Sequence, residues 1–481
     1  MRQLLLHPVL ILFATSLVGC AIPPRPQSPE LTHIAPLAGV PAKAGAVWPD
    51  AAWWQRYGDT QLNDLQARAL AGSPTLAVAR ARFDEAARAV DVARAAGGAS
   101  MQGNAQLQRE RLSEHGLIPS QFLGFNWYSQ GDLGIAFNYD FDFWGSHGAD
   151  IAAAIDRARA AAAERDAAAT MLTAAVAETY FGWQADHARL AIANDLVANA
   201  VQAQRIAAAR VQRGIDPADT LHRANVKLAG ARDQVAQLAG ATAIAHAALA
   251  SLIGTAPQAL GELQVQPLPL TGGGMPAQAG IDLLARRADV AASRWRVDAA
   301  LKDVDVARDA FFPDLSLSAL VGLSSIDLGK LLAPGSAVIA AGPALHLPIF
   351  EGGRLRARFG VSQAALTAAI ADYNAAVVEA ARDAATQALS VQQVQARLPL
   401  QAVQLQAAEQ LQETARAREQ GGLTDARPLL AAAADFDNLR DAQIQLQRAA
   451  LSADIALTRA LGGGYRASAS SHPTTSGARS P

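Results

Sequence analysis

From Leu133 to Phe143 the side chains alternate. Leu133, Ile135, Phe137, Tyr139, Phe141 and Phe143 are apolar or aromatic, and Gly134, Ala136, Asn138, Asp140 and Asp142 stand between them. Alternation at period two puts one set on each face of a β-strand. A later stretch repeats the pattern: PDLSLSALVG from Pro313, then AVIAAGPALHLPIF from Ala337, with Ile339, Leu345, Leu347 and Ile349 on one face and His346 on the other. Four strands are predicted, over about 102–112, 131–143, 313–323 and 336–349. Each is about ten residues long, the length a tilted strand needs to cross a bilayer. Acidic side chains opposite an aromatic band suit a watery lumen on one side and lipid on the other. The competing reading is an antiparallel sheet lying on a soluble core.

The Ala-rich segments from Ser146 to Arg213 and from Arg354 to Gln420 read as two very long helices. At about 1.5 Å per residue each is on the order of 100 Å long. One globular core cannot wrap such helices, so they must pack on other long helices as a coiled coil or bundle. Composition agrees, since aromatic residues make up only 5% of the chain and Ala dominates the 51% hydrophobic share. Pro399 falls inside the second helix and is expected to kink or interrupt it, whereas Ala191 occupies the matching place in the first.

That match comes from an internal repeat. The heptapeptide VDVARAA at Val90 returns as VDVARDA at Val304, and the same offset of 214 pairs Arg80 with Arg294 and Ala86 with Ala300. Further on, an offset of 208 pairs Gly145 with Gly353, Arg210 with Arg418, Gly214 with Gly422 and Gly254 with Gly462. The chain is a tandem duplication. Its expected divisions are a signal segment 1–19, an N-terminal tether 20–59, a first repeat 60–260, a linker 261–281, a second repeat 282–464 and a disordered tail 465–481. Four strands cannot close a barrel, and open edges find no hydrogen-bond partners in lipid. A membrane sheet of this size therefore requires several copies of the chain.

The N-terminus, MRQLLLHPVLILFATSLVGC, places Arg2 before an apolar run and ends at Cys20, the only cysteine of 481 residues. The run is a secretory signal, too short to span a bilayer. Leu17-Val18-Gly19-Cys20 resembles a lipobox. That resemblance implies cleavage before Cys20 and a covalent lipid there, diacylglyceryl on the thiol and an acyl group on the new amino terminus. Ala21 is not the aspartate that retains lipoproteins in the inner membrane, and AIPPRPQSPE reads as an extended tether.

Charge excludes one class of partner. Lys plus Arg number 41 against 43 Asp plus Glu, so no basic field attracts nucleic acid. Catalytic and metal readings also lack support: the nine histidines form no HExxH pair, and Thr271-Gly272-Gly273-Gly274 lacks the Lys-Ser/Thr of a phosphate loop. Gly352-Gly353-Arg354 has a structural role, turning the chain from strand to helix.

Several motifs together resemble the TolC-like outer membrane factor family, in particular its lipoprotein branch of OprM and NodT-type efflux proteins. They are Ser73-Pro74-Thr75-Leu76, Asp142-Phe143-Trp144-Gly145, Phe311-Phe312-Pro313-Asp314-Leu315-Ser316 and Pro348-Ile349-Phe350-Glu351-Gly352-Gly353-Arg354. The resemblance implies long coiled-coil helices forming an α-barrel, with four transmembrane strands per protomer in a trimeric 12-stranded outer-membrane β-barrel. It also implies a passive exit duct for small molecules, in the cell outer membrane, partnered by a periplasmic adaptor (membrane fusion) protein and an inner-membrane pump. The alternative is a non-conducting periplasmic coiled-coil lipoprotein scaffold or tether.

By the repeat, the helices turn back at Arg213–Asp219 and Gln420–Pro428. The family resemblance makes these turns the periplasmic tip, with Asp216, Asp219, Arg418, Asp425 and Arg427 as candidates for gate or adaptor contacts. Each could instead only cap a helix. Family members often carry gate-lining aspartates one and two turns after the second glycine, where this chain has Pro428 and Ala431.

Overall fold

The computed structural model describes residues 22–24, 30–32, 42–43, 45–113, 115, 120–276 and 279–466. The expected signal segment, Cys20 and the chain beyond Arg466 lie outside the described residues.

The main elements, short helical turns aside, are α1 (Thr60–Gly72), α2 (Pro74–Ala96), β1 (Ser100–Arg111), β2 (Trp127–Phe141), α3 (Ser146–Gln212), α4 (Ala218–Ile253), α5 (Ala279–Arg286), α6 (Ala288–Asp309), β3 (Asp314–Ser325), β4 (Ala337–His346), α7 (Arg354–Gln420) and α8 (Ala426–Ala460). Both α3 and α7 are 67 residues long. Pro399 lies inside α7 without interrupting it. A proline removes one hydrogen bond of the ladder, and the rest of this long helix holds the segment helical.

The chain forms two compact units. The first is built mainly from residues 84–159 and 294–372 and contains the sheet. Its strands are all antiparallel, in the order β1-β2-β3-β4. Gly103 faces Ile135, Ile135 faces Val321, and Val321 faces Ile339, so odd-numbered residues share one face across the sheet and even-numbered residues the other.

Every strand boundary differs a little from expectation. β2 starts at Trp127 because Arg111 to Gln108 of β1 pair with Trp127 to Gln130, a stretch whose mixed polarity hides its strand character. It stops at Phe141 because the Asp142 carboxylate turns to cap α3, accepting the His147 and Gly148 N–H groups at 3.1 and 3.0 Å. β1 starts earlier, at Ser100, opposite Asn138. β3 runs on to Ser325, opposite Gly131, and Pro313 stays outside it, its carbonyl accepting the Trp144 indole N–H at 2.7 Å. β4 ends at His346, which pairs with Asp314, the first residue of β3; beyond it no neighbour continues.

The second unit, mainly residues 31–83, 160–293 and 373–466, holds the large core. Trp53, Trp54, Leu62, Leu65, Tyr180, Phe181, Leu249, Leu451 and Ile455 are buried together. Trp53 and Trp54 fall in the expected 20–59 tether, so its last part is packed core rather than free chain. Two polar clusters inside are paired: Tyr180 donates to Asp59 at 2.7 Å, and Asp454 accepts from Arg56 at 2.6 Å and Tyr57 at 2.7 Å. The expected linker is packed too. Lys43 Nζ donates to the Gly272 carbonyl at 2.7 Å, and a Cβ on Gly273 would lie 1.7 Å from Asp454 Oδ1. Elsewhere the helices approach closely through small residues, with Ala177, Ala185, Ala380 and Ala384 buried.

Candidate functional site

In the second unit, α3 and α7 end in the same device. Gly214 (φ 67°) and Gly422 (φ 70°) take the left-handed conformation that glycine adopts without a Cβ penalty. Past them the Ile215 N–H donates to the Arg210 carbonyl and the Leu423 N–H to the Arg418 carbonyl, each at 2.9 Å. This Schellman closure brings the following residue back beside the last helical turn. In the first hairpin that residue is Asp216, which takes Arg210 bidentately, Nε to Oδ2 at 2.7 Å and Nη2 to Oδ1 at 3.0 Å. In the second hairpin the equivalent position is Thr424, and Arg418 is exposed.

Asp425 caps α8 instead. It accepts the Arg427 N–H at 3.1 Å and the Arg427 Nε–H at 2.9 Å. The charges of the two turns also act on each other. The Arg210 hydrogen bond holds the Asp216 carboxyl below its ordinary range, with Arg427 adding to the effect. Arg427 in turn lowers Asp425, and Arg210 helps. Arg210, Asp216, Asp425 and Arg427 thus form one alternating cluster of charges. A groove of about 610 Å³ carries Arg210, Asp216 and Arg427 in its lining, with Ala203, Ala207 and Ala431 as small apolar members.

Of the five residues expected at the tip, three meet in this cluster. Asp219 pairs with Arg223 one turn along its own helix, at 2.7 Å, and Arg418 takes no part. Arg210 is the member not singled out from sequence. Its signal is an arginine six residues before an aspartate, with the helix-ending glycine between them.

In the first unit, the sheet separates two chemistries. Its even-numbered face is polar: Ser324 donates to Asp132 at 2.7 Å, and Gln130 reaches the same carboxylate at 3.1 Å. Leu320 and Val338 are apolar exceptions on that face. The odd-numbered face is mostly apolar and largely exposed, with Ile135 53%, Val321 59%, Ile339 77% and Leu345 70% exposed, while Gly131 on it lies under Leu328 and Leu331. A contiguous exposed apolar patch marks contact with lipid or another protein. At one border of the sheet, Trp144 stacks on Phe312 at 4.5 Å.

A family model described as outer membrane efflux protein matches residues 65–255 and 281–463. The chain is 32% identical over 474 residues to the multidrug resistance outer membrane protein MdtP of Shigella flexneri, covering 95% of this chain and 96% of that protein. Among solved structures, the outer membrane protein VceC from Vibrio cholerae is 32% identical with a TM-score of 0.77, covering 87% of this chain and all of that one. The Campylobacter jejuni CmeC outer membrane channel, 21% identical, shares the fold at a TM-score of 0.84 over 93% of this chain and 96% of its own.

Proposed function

The chain belongs to the outer membrane efflux protein family, and we propose that it forms the outer-membrane exit duct of a tripartite efflux system. Small toxic molecules would reach it from a periplasmic adaptor and an inner-membrane pump and leave by passive permeation along a polar lumen. The observation that carries this reading is the sheet: four strands, one mostly apolar exposed face, one polar face and, among the described residues, two open edges. Edges cannot stand unpaired in lipid, and small membrane barrels need at least about eight strands. Three copies supply twelve strands and close the ring. The same assembly covers apolar helix positions that one copy leaves exposed, among them Val226, Ile244 and Leu411.

In this reading the lipid on Cys20 anchors the periplasmic side. The cluster of Arg210, Asp216, Asp425 and Arg427 holds the tip closed at rest, and Asp219 and Arg418, exposed on the same turns, are left to face the adaptor. The pump supplies the energy. A scaffold that conducts nothing would leave the exposed odd-numbered face and its polar counterpart without a purpose. The test is reconstitution of the purified protein in planar bilayers. A trimer that conducts ions is expected; a water-soluble, non-conducting oligomer overturns the reading.

A further inference from the structure

Arg189 of α3 and Asp441 of α8 form an ion pair between two helices, Nε to Oδ1 at 2.7 Å, and both side chains are largely shielded from solvent. Gln445, one turn further along α8, donates to the other carboxylate oxygen, Oδ2, at 2.5 Å. The internal repeat writes all three residues a second time. At the offset of 208, Arg189 corresponds to Arg397 on α7, Asp441 to Asp233 on α4, and Gln445 to Gln237. Gln237 donates to Asp233 Oδ2 at 2.7 Å, as Gln445 does to Asp441. The bridge, however, does not form within the chain. Arg397 is exposed and, among the described residues, has no ion-pair or hydrogen-bond partner. Asp233 is exposed too, with Oδ1 left open beside the Gln237 contact.

Solvent cover differs in the same way. Ile192, three residues after Arg189, is 4% exposed, and its counterpart Leu400 on α7 is 64% exposed. Asp441 is buried and Asp233 is not. Nearby ion pairs between α3 and α8, Asp195 with Arg440 at 3.2 Å and Asp186 with Arg448 at 3.0 Å, are not repeated, since Val403, Val394 and Gly240 stand in the second set. Around these diverged positions the arginine, the aspartate and its glutamine are kept. The chain thus carries both sides of the α3–α8 contact twice, and the second pair of sides has not met.

A further copy of the chain can bring them together. On the duct reading, on which this inference rests, three copies form one assembly, and a contact between unlike surfaces closes into a ring when its rotation closes. We propose that Arg397 pairs with Asp233 of the neighbouring copy, the α4 of one chain lying along the α7 of the next in the register that α8 takes along α3. Leu400 is covered in the same contact. The joint between copies then repeats the joint between the two halves of one chain. A charge pair at such a joint acts mainly on register and choice of partner.

The test uses the full-length protein in mild detergent, with native mass spectrometry to measure trimers against dissociated chains. Each single reversal, Arg397→Asp or Asp233→Arg, sets like charges opposite each other at every joint and is expected to weaken the trimer by on the order of tenfold. The double reversal is expected to restore it. In parallel, chains with Arg397→Cys and chains with Asp233→Cys, differently tagged in a Cys20→Ser background, are expected to join through a short bismaleimide into mixed dimers. Single reversals that dissociate like the wild type overturn the proposal, as does a double reversal no better than the singles. Trimers of the two cysteine chains that give no mixed dimer overturn it as well. Wild-type protein that forms no trimer would instead overturn the duct reading beneath it.

Discussion

Arg210 and Asp216 clasp each other across a helix end, the guanidinium spanning both carboxylate oxygens at 2.7 and 3.0 Å. Removing the cation leaves Asp216 facing Asp425 with less charge between them. Arg210→Gln is expected to raise the resting conductance by on the order of a few-fold, as a closed population gives way to an open one. Reversing the pair, Arg210→Asp with Asp216→Arg, should restore the closed state. Arg418→Gln, at the equivalent position where Thr424 replaces the aspartate, should leave this conductance unchanged. Single-channel recording separates the three variants.

Acid should act on the same cluster. Asp216 and Asp425 are both held below the ordinary carboxylate range by arginines. For a depressed carboxyl the stabilisation is complete above its unfolded value and is lost as pH falls through its lowered folded value. The tip is therefore expected to stay closed through mild acid and to loosen only under stronger acid. In Arg210→Gln the loosening should begin at higher pH. Conductance followed from neutral to strongly acidic solution checks both statements.

Gly214 and Gly422 test the equivalence of the repeats. A Cβ at either meets nothing within 4 Å, so alanine costs only the left-handed backbone penalty, about 1–2 kcal/mol. Thermal unfolding should fall by a similar few degrees for both variants. Only Gly214→Ala should also disturb conductance, because only that turn carries a salt bridge across it.

Gly273 occupies a place with no room for a side chain. Its added Cβ would lie 1.7 Å from Asp454 Oδ1, and Asp454 is buried and bound to Arg56 and Tyr57. Gly273→Ala is expected to destabilise the protein by about 1–3 kcal/mol through overpacking. Gly272→Ala, with open space around it, should be close to neutral. Denaturant titration of the two variants decides the point.

Cys20→Ser should abolish labelling by a radioactive fatty acid while leaving trimer formation and conductance intact. Loss of trimers in that variant would show that the anchor serves assembly as well as attachment.

The duplication, the long helices and the two-faced strands were legible because each is written as a period in the sequence. The ends of the strands were not, since they depend on partners distant along the chain. Trp127 to Gln130 become strand only because β1 continues opposite them, and Asp142 leaves the strand because two amides of α3 claim its carboxylate. The tip was legible in part for a related reason. Arg210 and Arg418 are equivalent in the repeat, and what distinguishes them is whether the turn returns an aspartate or a threonine to their side. Trp53 and Trp54 read as tether because the rest of the cluster that buries them, such as Phe181, Leu249 and Leu451, is scattered along the sequence.

Among the described residues, the order β1-β2-β3-β4 leaves one long side of β1 and one of β4 without a neighbour. A single chain therefore cannot enter a bilayer alone and wait for company, since every unmatched amide would meet hydrocarbon. On the duct reading, membrane entry and association are therefore one event, and its rate is expected to depend steeply on how many copies reach the membrane together. On that reading a chain made in too small a number is expected to stay in water with its apolar strands exposed, a target for proteases rather than a slow channel.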